Sequence, residues 1–385
     1  MRKIVFVTDT RAEYGVLKNT LKKINRSDKL ELYIIVTGAH LSERYGATVH
    51  EIEMDGFSIA ERIPTLTDDN DNIRIPIEMG NLMSQLARAF EKIEPDILLL
   101  FGDRYEMLAA ASTAVGMHIP IAHISGGEIT QGAMDEQIRH AITKMAHIHF
   151  PGAEAYAQNI RNMGEESWRV YNVGDPAIEN IKNVKLWSKA RLEQDLKIKI
   201  DKRTLLVTYH PVTLERERLE EQLDNLIIVL QKHDGTKIIT YPNSDDGGGT
   251  IIKKLQDYAK RDPSVRLIQS LGIVRYLSVM YYCGAVVGNS SSAIVEAPFL
   301  KVPAVNIGNR QQGRLMAESI ICCDNTSCAI QEAIEEALSE SFHNVVSHSK
   351  SLYGEGNTSS EIVNILENIV IDESLLKKKL EWATV

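Results

Sequence analysis

Short, continuous apolar runs recur along the first half of the chain, and they constrain its fold more than any other feature. Each is rich in Val, Ile and Leu and is followed by Gly or polar residues: 3–8 (KIVFVT), 32–37 (LYIIVT), 96–101 (DILLLF) and 119–124 (IPIAHI). Uninterrupted apolar strands of this kind belong to parallel sheets that are covered on both faces. Amphipathic helical patterns lie between them, at residues 14–24, 77–93 and 105–115. The alternation predicts a doubly wound α/β domain.

The alternation pauses around residues 174–176 and then restarts. A second set of apolar runs lies at residues 204–208, 237–241, 265–269, 285–287 and 304–307, with helical patterns at 220–232 and 273–283 between them. A chain of 385 residues is long enough for two domains of about 150–200 residues each. We therefore predict two Rossmann-like domains and a C-terminal helix that packs back on the first, with bounds at residues 1–172, 173–365 and 366–385.

Two further segments have a recognisable pattern, one at the C-terminus and one inside the first domain. Residues 359–380 have a helical pattern with no strand after it. Residues 65–72 are rich in Asp and predict a loop.

Composition narrows the class of protein. Hydrophobic residues make up 44% and charged residues 25% of the chain, the balance of a soluble globular protein. A formal net charge of −9 argues against a nucleic-acid partner, whose backbone requires clustered Lys and Arg. The four cysteines form no CxxC pair, which indicates a reduced, cytoplasmic protein.

Membrane and export signals are not apparent in the sequence. No stretch approaches the roughly 18 apolar residues that a membrane helix needs, so we expect no membrane partner. The N-terminal apolar run stops at Asp9 and Arg11, and we interpret it as a buried strand and not as a signal peptide.

Ligands of doubly wound domains bind at the carboxyl ends of the strands, so the loops after the strands are the places to look for chemistry. At 285–296 a strand ends at Gly288, three serines follow, and a helix pattern begins. Free backbone N–H groups at a helix start, together with Ser290 and Ser291 hydroxyls, can hold a phosphate. Glu296 could accept both ribose hydroxyls. The alternative is an ordinary N-cap serine with an exposed glutamate.

Two loops of the first domain carry further candidates. Arg11 follows the first strand and could pair with a diphosphate through its planar guanidinium, or it could be a solvated arginine at a turn. Asp103 follows a buried strand and is well placed for acid–base chemistry, or it could be the N-cap of the next helix.

The stretch from His123 to Glu128 runs from a strand into a loop, and a helix with several charged residues follows it. On that helix Asp135 and Arg139 are four residues apart and share one face. Carboxylates that converge on one cleft separate each other's pKa values, as an acid–base pair requires. The alternative is a solvated helix face held by salt bridges.

Histidines offer two further interpretations. His210 lies at the end of the first strand of the second domain and could be catalytic or structural. His147 and His149 would share one strand face, but no HExxH or cysteine partner accompanies them, so we predict no metal site.

Taken in order, the motifs resemble the hydrolysing UDP-N-acetylglucosamine 2-epimerases of sialic acid biosynthesis over nearly the whole chain. The matching segments are TRAEYG at 10–15, VTGAHL at 36–41, GDR at 102–104, GGE at 126–128, IRHAITKMAHIHF at 138–150, HPVT at 210–213, GNSSS at 288–292 and IGNRQQGR at 307–314. The resemblance implies a GT-B-like fold, in which two Rossmann-like domains close over a UDP-sugar. It also implies a homodimer or homotetramer.

The resemblance implies roles for individual residues. Ser290 and Ser291 would bind the diphosphate with Arg11 opposite, Glu296 would hold the ribose, and Tyr276 would pack on uracil. Arg310, His40 and Arg139 would bind the UDP-sugar. His210 would line the same pocket and take part in catalysis, and Asp103 and Asp135 match the family's catalytic carboxylates. Where many relatives carry a catalytic Glu this chain has Ser125, and we expect Glu128 to take over that work.

The implied reaction converts UDP-GlcNAc and water into ManNAc and UDP through a glycal. It needs no redox cofactor, and the chain lacks GxGxxG after its first strand. The alternatives are a 2-epimerase of UDP-2,4-diacetamido-2,4,6-trideoxyglucose for legionaminic acid, a non-hydrolysing epimerase, a glycosyltransferase of the same fold, and an inactive UDP-sugar sensor.

Overall fold

A computed structural model of the protein describes residues 1–43, 46–66, 73–129, 134–211, 217–242 and 248–381. The chain divides into two compact units, Met1–Lys182 with Tyr353–Val385, and Asn183–Leu352. These bounds differ from those predicted from sequence, at 172/173 and 365/366. The reason is that residues 173–182 and the segment after Leu352 contact the first unit.

The first unit is built on a six-stranded parallel sheet in the order β3-β2-β1-β4-β5-β6. Its strands are β1 (Arg2–Thr8), β2 (Leu30–Thr37), β3 (Ile59–Ile63), β4 (Ile97–Phe101), β5 (Ile121–Ile124) and β6 (Ile148–Phe150). Its first helices are α1 (Arg11–Arg26), α2 (Val49–Met54), α3 (Arg74–Ile93), α4 (Tyr105–Gly116), α5 (Met134–Met145), α6 (Glu154–Asn162) and α7 (Pro176–Asn183). Buried apolar clusters lie on both faces of the sheet, as an uninterrupted apolar strand requires.

The second unit has the same architecture, with a parallel sheet in the order β12-β11-β10-β7-β8-β9. Its strands are β7 (Leu205–Thr208), β8 (Lys237–Thr240), β9 (Val265–Ile268), β10 (Ala285–Gly288), β11 (Ala304–Ile307) and β12 (Ile320–Cys323). Its helices are α8 (Lys189–Leu196), α9 (Leu219–Lys232), α10 (Gly248–Arg261), α11 (Gly272–Tyr282), α12 (Glu296–Phe299), α13 (Ser327–Ala337) and α14 (Glu340–His348). The two sheets confirm the predicted α/β class with two doubly wound, Rossmann-like domains.

The C-terminal segment packs on the first unit through two helices, α15 (Thr358–Asn368) and α16 (Glu373–Leu376). Ile362 and Leu366 of α15 are fully buried in the same cluster as α1. The two helices replace the single helical pattern predicted at 359–380, because the chain leaves the helix after Asn368. Asp372 then caps the next helix, and its carboxylate accepts from the backbone N–H of Ser374 at 2.9 Å.

Two strands escaped the sequence prediction, and both lie at a sheet edge. β3 mixes apolar and charged residues and is mostly half-buried, and β12 is a four-residue strand beside β11. The strand predicted around His147 and His149 is confirmed as the three-residue β6. The predicted loop at 65–72 falls mostly on residues 67–72, which lie outside the described part of the chain. Among the described residues, no helix is both long and apolar enough to cross a membrane.

Candidate active site

In the first unit the candidate residues follow adjacent strands. Asp103 lies just after β4, and the loop from Ser125 to Glu128 follows β5. These two strands are parallel neighbours, with Phe101 opposite Ile124, so both loops leave from the same edge of the sheet. The backbone N–H of Gly102 donates to the carbonyl of Ile124 at 3.1 Å and joins the two loops at their start.

Arg139 connects Asp103 with the loop that carries Glu128. It lies on α5 with a side chain 6% exposed, and its Nη2 donates to the carboxylate of Asp103. Its Nη1 donates to the backbone carbonyl of Glu128 at 2.9 Å. Asp103 is not the N-cap of α4, because Arg104 occupies that position. The structure therefore brings three of the predicted residues together around one buried guanidinium.

The electrostatics of Asp103 suit a group that can carry a proton. Burial raises the pKa of its carboxyl above the usual range, and Arg139 opposes this shift without cancelling it. The negative charge of Asp135, an exposed residue near the start of α5, raises the pKa of Asp103 further. Asp103 and Asp135 therefore interact electrostatically, as carboxylates that converge on one site would.

The loop from Ser125 to Glu128 is tightly fixed. Ser125 has a left-handed backbone with φ of 64°, and its N–H donates to the carbonyl of Phe150 at 3.0 Å. A Cβ on Gly127 would lie 2.4 Å from the carbonyl oxygen of Tyr156, so the loop approaches α6 as closely as only glycine allows. Glu128 is half-buried at the end of this fixed turn.

Arg11 and His40 have different environments. Arg11 is the first residue of α1, its side chain is 70% exposed, and its Nε lies 2.9 Å from the carboxylate of Glu51. His40 is fully buried, and its ring nitrogens bond the hydroxyls of Thr8 at 3.1 Å and Thr48 at 2.8 Å. Burial lowers the pKa of His40. The prediction that His40 lines a ligand pocket thus rests on the resemblance alone.

Sequence reasoning missed a second group of charged residues beside Asp103. Asp9 and Glu106 are fully buried, Glu13 is 8% exposed, and Arg104 donates to the carboxylates of Asp9 and Glu106. A signal was present, because Asp9 and Arg104 follow neighbouring strands at the same edge of the sheet. Glu13 and Glu106 lie within helices α1 and α4, and no sequence pattern marks them as buried.

In the second unit, Asn289 joins the ends of two strands. Its Oδ1 accepts from the backbone N–H of His210 at 2.7 Å, and its Nδ2 donates to the carbonyl of His210 at 2.8 Å. This two-bond link holds the chain after β7 against the chain after β10. His210 is buried at this point, and the two bonds fix its backbone. Asn289 was not singled out from the sequence.

The turn after Asn289 carries the serines. Ser290 caps a short 3₁₀ helix, Ser291–Ala293, and Ser291 is exposed. The hydroxyl of Ser292 bonds the Tyr276 hydroxyl of α11 at 2.9 Å. The helix expected to follow is only this 3₁₀ turn and the four-residue α12, which begins at Glu296. With so few aligned peptides its dipole is small, so hydroxyl groups must supply more of any anion binding.

Arg310 completes this group. Its Nη1 donates to the backbone carbonyl of Asn289 at 3.2 Å, and Nε2 of the neighbouring Gln311 donates to the same oxygen at 2.9 Å. The loop after β11 is thereby fixed to the serine turn. His210, Ser290 and Arg310, three predicted residues, all converge on Asn289.

Removal of the Asn289 side chain should be costly. Asn289→Ala leaves the buried N–H and carbonyl of His210 without their partner, and we expect a loss of about 2–4 kcal/mol in the free energy of unfolding. Urea unfolding of both proteins measures the difference. A loss below about 1 kcal/mol would mean that water or another group replaces the amide, and that the link does not hold the two loops.

His149 in β6 and His147 just before it form hydrogen bonds or close polar contacts within the first unit. His147 Nδ1 accepts from the backbone N–H of Ile121 at 3.1 Å, and His149 Nε2 lies 3.1 Å from the carboxylate of Glu165. Within the described ranges there is no group of three or more His, Cys, Asp and Glu residues arranged to hold a metal ion.

Comparisons with known proteins identify the family of the chain. A model of the family described as UDP-N-acetylglucosamine 2-epimerase matches residues 22–367. The GDP/UDP-N,N'-diacetylbacillosamine 2-epimerase (hydrolyzing) of Campylobacter jejuni is 41% identical over 343 residues, which are 89% of this chain and 88% of that protein. The UDP-N,N'-diacetylbacillosamine 2-epimerase (hydrolyzing) of Legionella pneumophila is 36% identical over 378 residues, 98% of this chain and 99% of that protein.

A solved structure shares the fold. The UDP-GlcNAc 2-epimerase from Neisseria meningitidis bound to UDP-GlcNAc has a TM-score of 0.76 at 19% identity, and the match covers 94% of this chain and 99% of that chain. This likeness confirms the predicted GT-B-like fold. The family match and the two relatives confirm the resemblance read from the motifs. The chain therefore belongs to the UDP-N-acetylglucosamine 2-epimerase family, among its hydrolysing UDP-sugar 2-epimerases.

Proposed function

We propose that the protein is a hydrolysing 2-epimerase of UDP-N,N'-diacetylbacillosamine, which is UDP-2,4-diacetamido-2,4,6-trideoxyglucose. The observation that carries the chemistry is the pair of half-buried Asp103 and buried Arg139, with the charge of Asp135 acting on it, because C2 epimerisation needs one group that carries a proton and one that accepts it. The choice of sugar is supported by the two hydrolysing relatives, whose names specify diacetylbacillosamine.

The reaction has two stages. A base takes the proton from C2 while the C1–O bond to UDP breaks, which leaves a glycal with a C1–C2 double bond. Water then adds its hydroxyl at C1, and a proton is delivered to C2 from the opposite face. The products are a free 2-epimerised sugar and UDP, so one water is consumed and the proton balance closes.

We assign the proton transfers to carboxyl groups of the first unit. Asp103, whose pKa is raised by burial, is suited to hold and deliver a proton, and the exposed Asp135 is suited to accept one. Glu128 is the third carboxyl of this region and takes the role that Ser125 cannot perform. In this proposal Arg139 acts on Asp103 and on the loop, and it does not need to touch the substrate. We assign His210 to the sugar pocket as a further catalytic residue.

The diphosphate gains negative charge as it leaves, so donors directed at it lower the barrier. The loops that Asn289 joins carry Ser290, Ser291 and Arg310. We assign these three residues, together with Arg11, to binding of the diphosphate. Glu296 would accept the ribose hydroxyls.

UDP-GlcNAc is the second candidate substrate, since the sequence motifs taken alone favour it and the sialic acid route. It carries hydroxyl groups at C4 and C6 where diacetylbacillosamine carries an acetamido group and a methyl group. A pocket built for the second sugar should therefore discriminate by at least about tenfold in kcat/KM.

The test compares kcat/KM for the two UDP-sugars by measuring released UDP, with separate quantification of the free sugar. We expect equal amounts of UDP and free sugar and a preference for the diacetamido sugar. A preference for UDP-GlcNAc would change the proposed substrate to UDP-GlcNAc and leave the proposed mechanism unchanged. An epimerised sugar still bound to UDP, with no free UDP, would refute the hydrolysing reaction.

Tyr276 provides a test of the uridine site. We propose that its ring packs on uracil, while its hydroxyl serves the bond to Ser292. Tyr276→Phe should keep UDP affinity within about threefold, whereas Tyr276→Ala should weaken it by about tenfold or more, since stacking on a base contributes about 1–3 kcal/mol. Calorimetric titration with UDP measures both variants. Equal losses in both would assign the effect to the hydroxyl and reject the stacking role.

A further inference from the structure

Three carboxyl groups meet inside the first unit, and we call Asp9, Glu13 and Glu106 the carboxyl cluster. Asp9 and Glu106 are 0% exposed and Glu13 is 8% exposed. Arg104 Nε donates to Asp9, and its Nη2 donates to Glu106 at 3.3 Å. Within the described part of the chain, Arg104 is therefore the cation bound directly to the cluster, and it bonds two of the three carboxyl groups.

The cluster lies beneath the loops that carry the proposed catalytic residues. Asp9 precedes Arg11 by two residues, and Glu13 lies in the first turn of α1. A Cβ on Gly102, which precedes Asp103, would lie 3.6 Å from Oε1 of Glu13. The cluster also reaches the loop after β2, because the backbone N–H of His40 donates to the carbonyl of Asp9 at 3.0 Å.

Two titratable groups that face the cluster from other described elements, His40 and Tyr105, add no positive charge to it. His40 faces Asp9, and burial lowers its pKa, so its ring is neutral at pH 7. Tyr105 faces Glu106 from the start of α4, and its pKa is raised by burial and by the carboxylates of Glu106 and Glu78. Three ionised carboxylates would leave two uncompensated negative charges in a buried site, which is strongly unfavourable.

The hydrogen bonds point to the same conclusion. Asp9 Oδ1 and Glu106 Oε2 are buried, and neither accepts a hydrogen bond from any described residue. The carboxyl of Glu13 lies within hydrogen-bonding reach of Asp9. Two ionised carboxylates have no hydrogen to donate, so this contact becomes a bond only when one of them carries a proton.

We propose that the carboxyl cluster holds a shared proton and is a positioning group, which fixes the Arg11 and Asp103 loops for catalysis. Loss of that proton leaves like charges in contact, and these push the two loops out of the catalytic arrangement. The activity readout of this proposal rests on the proposed function, whereas its stability readout does not.

The pKa directions agree with the geometry. Burial and the neighbouring Asp9 raise the pKa of Glu13 well above its usual value and that of Glu106 to about 7. A carboxyl whose pKa is higher in the folded than in the unfolded protein binds its proton more tightly when folded. Its stabilisation is present below the unfolded value of about 4.5 and is lost as pH rises towards the folded value.

The experiment uses Glu106→Gln and Glu13→Gln, whose amides have the shape of the protonated carboxyl without its titration. Glu91→Gln, on the exposed side of α3, is the matched control. Unfolding temperatures are measured from about pH 5 to about pH 8. We expect the cluster variants to gain stability over the wild type as pH rises, and the control to follow the wild type throughout. Parallel curves for all four proteins would overturn the proposal.

The pH profile of kcat supplies the second readout. We expect the wild-type kcat to fall above about pH 7, and the fall to move upward by about one pH unit or more in Glu106→Gln, with KM little changed. An unchanged alkaline limb, or Gln variants that do not fold, would contradict the shared proton. If no UDP-sugar is turned over but the stability curves diverge as expected, the proposed function is wrong. The proposal of a shared proton in the carboxyl cluster is then still supported.

Discussion

Asp103→Asn is expected to lower kcat by about 10²–10⁴-fold, the range that a positioned acid–base group contributes. The amide oxygen can still accept the hydrogen bond from Arg139, so the buried guanidinium keeps a partner and the loop keeps its place. The amide cannot exchange a proton. Steady-state release of UDP measures the loss, and KM for the UDP-sugar should stay within a few-fold of the wild type.

Two controls separate chemistry from folding in this variant. Asp28→Asn, in an exposed turn after α1, changes the same charge far from the site and should retain wild-type turnover. Thermal unfolding of Asp103→Asn should remain close to that of the wild type. A variant with native stability and a kcat within about threefold of the wild type would remove Asp103 from the proton transfers.

Gly288→Ala is expected to disrupt the second unit. Gly288 ends β10 beside Thr208 of β7 and has φ of 138°, a backbone region that side chains disfavour. A Cβ there would lie 1.9 Å from the carbonyl oxygen of Thr208, so the two strand ends must separate. Backbone strain and overpacking together should cost about 3 kcal/mol or more. Urea unfolding and UDP titration should report lost stability and lost binding together.

Gly249 offers the matched control. It lies in the first turn of α10, and a Cβ there meets nothing within 4 Å. Gly249→Ala should be neutral or stabilising by up to about 1 kcal/mol, because alanine restricts the unfolded chain and favours helix. If Gly288→Ala were equally harmless, the close approach of β10 and β7 would not be a requirement of the fold.

Most of the architecture follows from local pattern. All nine predicted apolar runs correspond to observed strands because fully buried parallel strands are continuously apolar, and that signal needs no partner to be recognised. β3 was missed because this edge strand mixes apolar and charged residues, and β12 was missed because it is an edge strand of only four residues. The break between α15 and α16 was missed because no Gly or Pro marks the end of α15 in the sequence. Asp372, which caps α16, was not recognised as the start of a second helix.

The site residues also fall into those that local sequence could predict and those that it could not. Asp103 and Ser290 could be predicted because each follows an apolar strand, and strand ends are where ligands bind. Arg310 was assigned through the family resemblance. The carboxyl cluster could not be predicted from spacing, because Asp9, Glu13 and Glu106 meet only when β1, α1 and α4 are packed. Likewise, the link from Asn289 to His210 joins residues that are distant in sequence and adjacent only through the pairing of β7 with β10.

The central claim is proton exchange at C2 coupled to release of UDP. The most direct test is an NMR time course of the protein in D₂O with UDP-N,N'-diacetylbacillosamine, and separately with UDP-GlcNAc. The account predicts a free 2-epimerised sugar that carries deuterium at C2, with one UDP released for each sugar. Free sugar that retains its original configuration and its C2 hydrogen would contradict it, because simple hydrolysis would then explain the UDP.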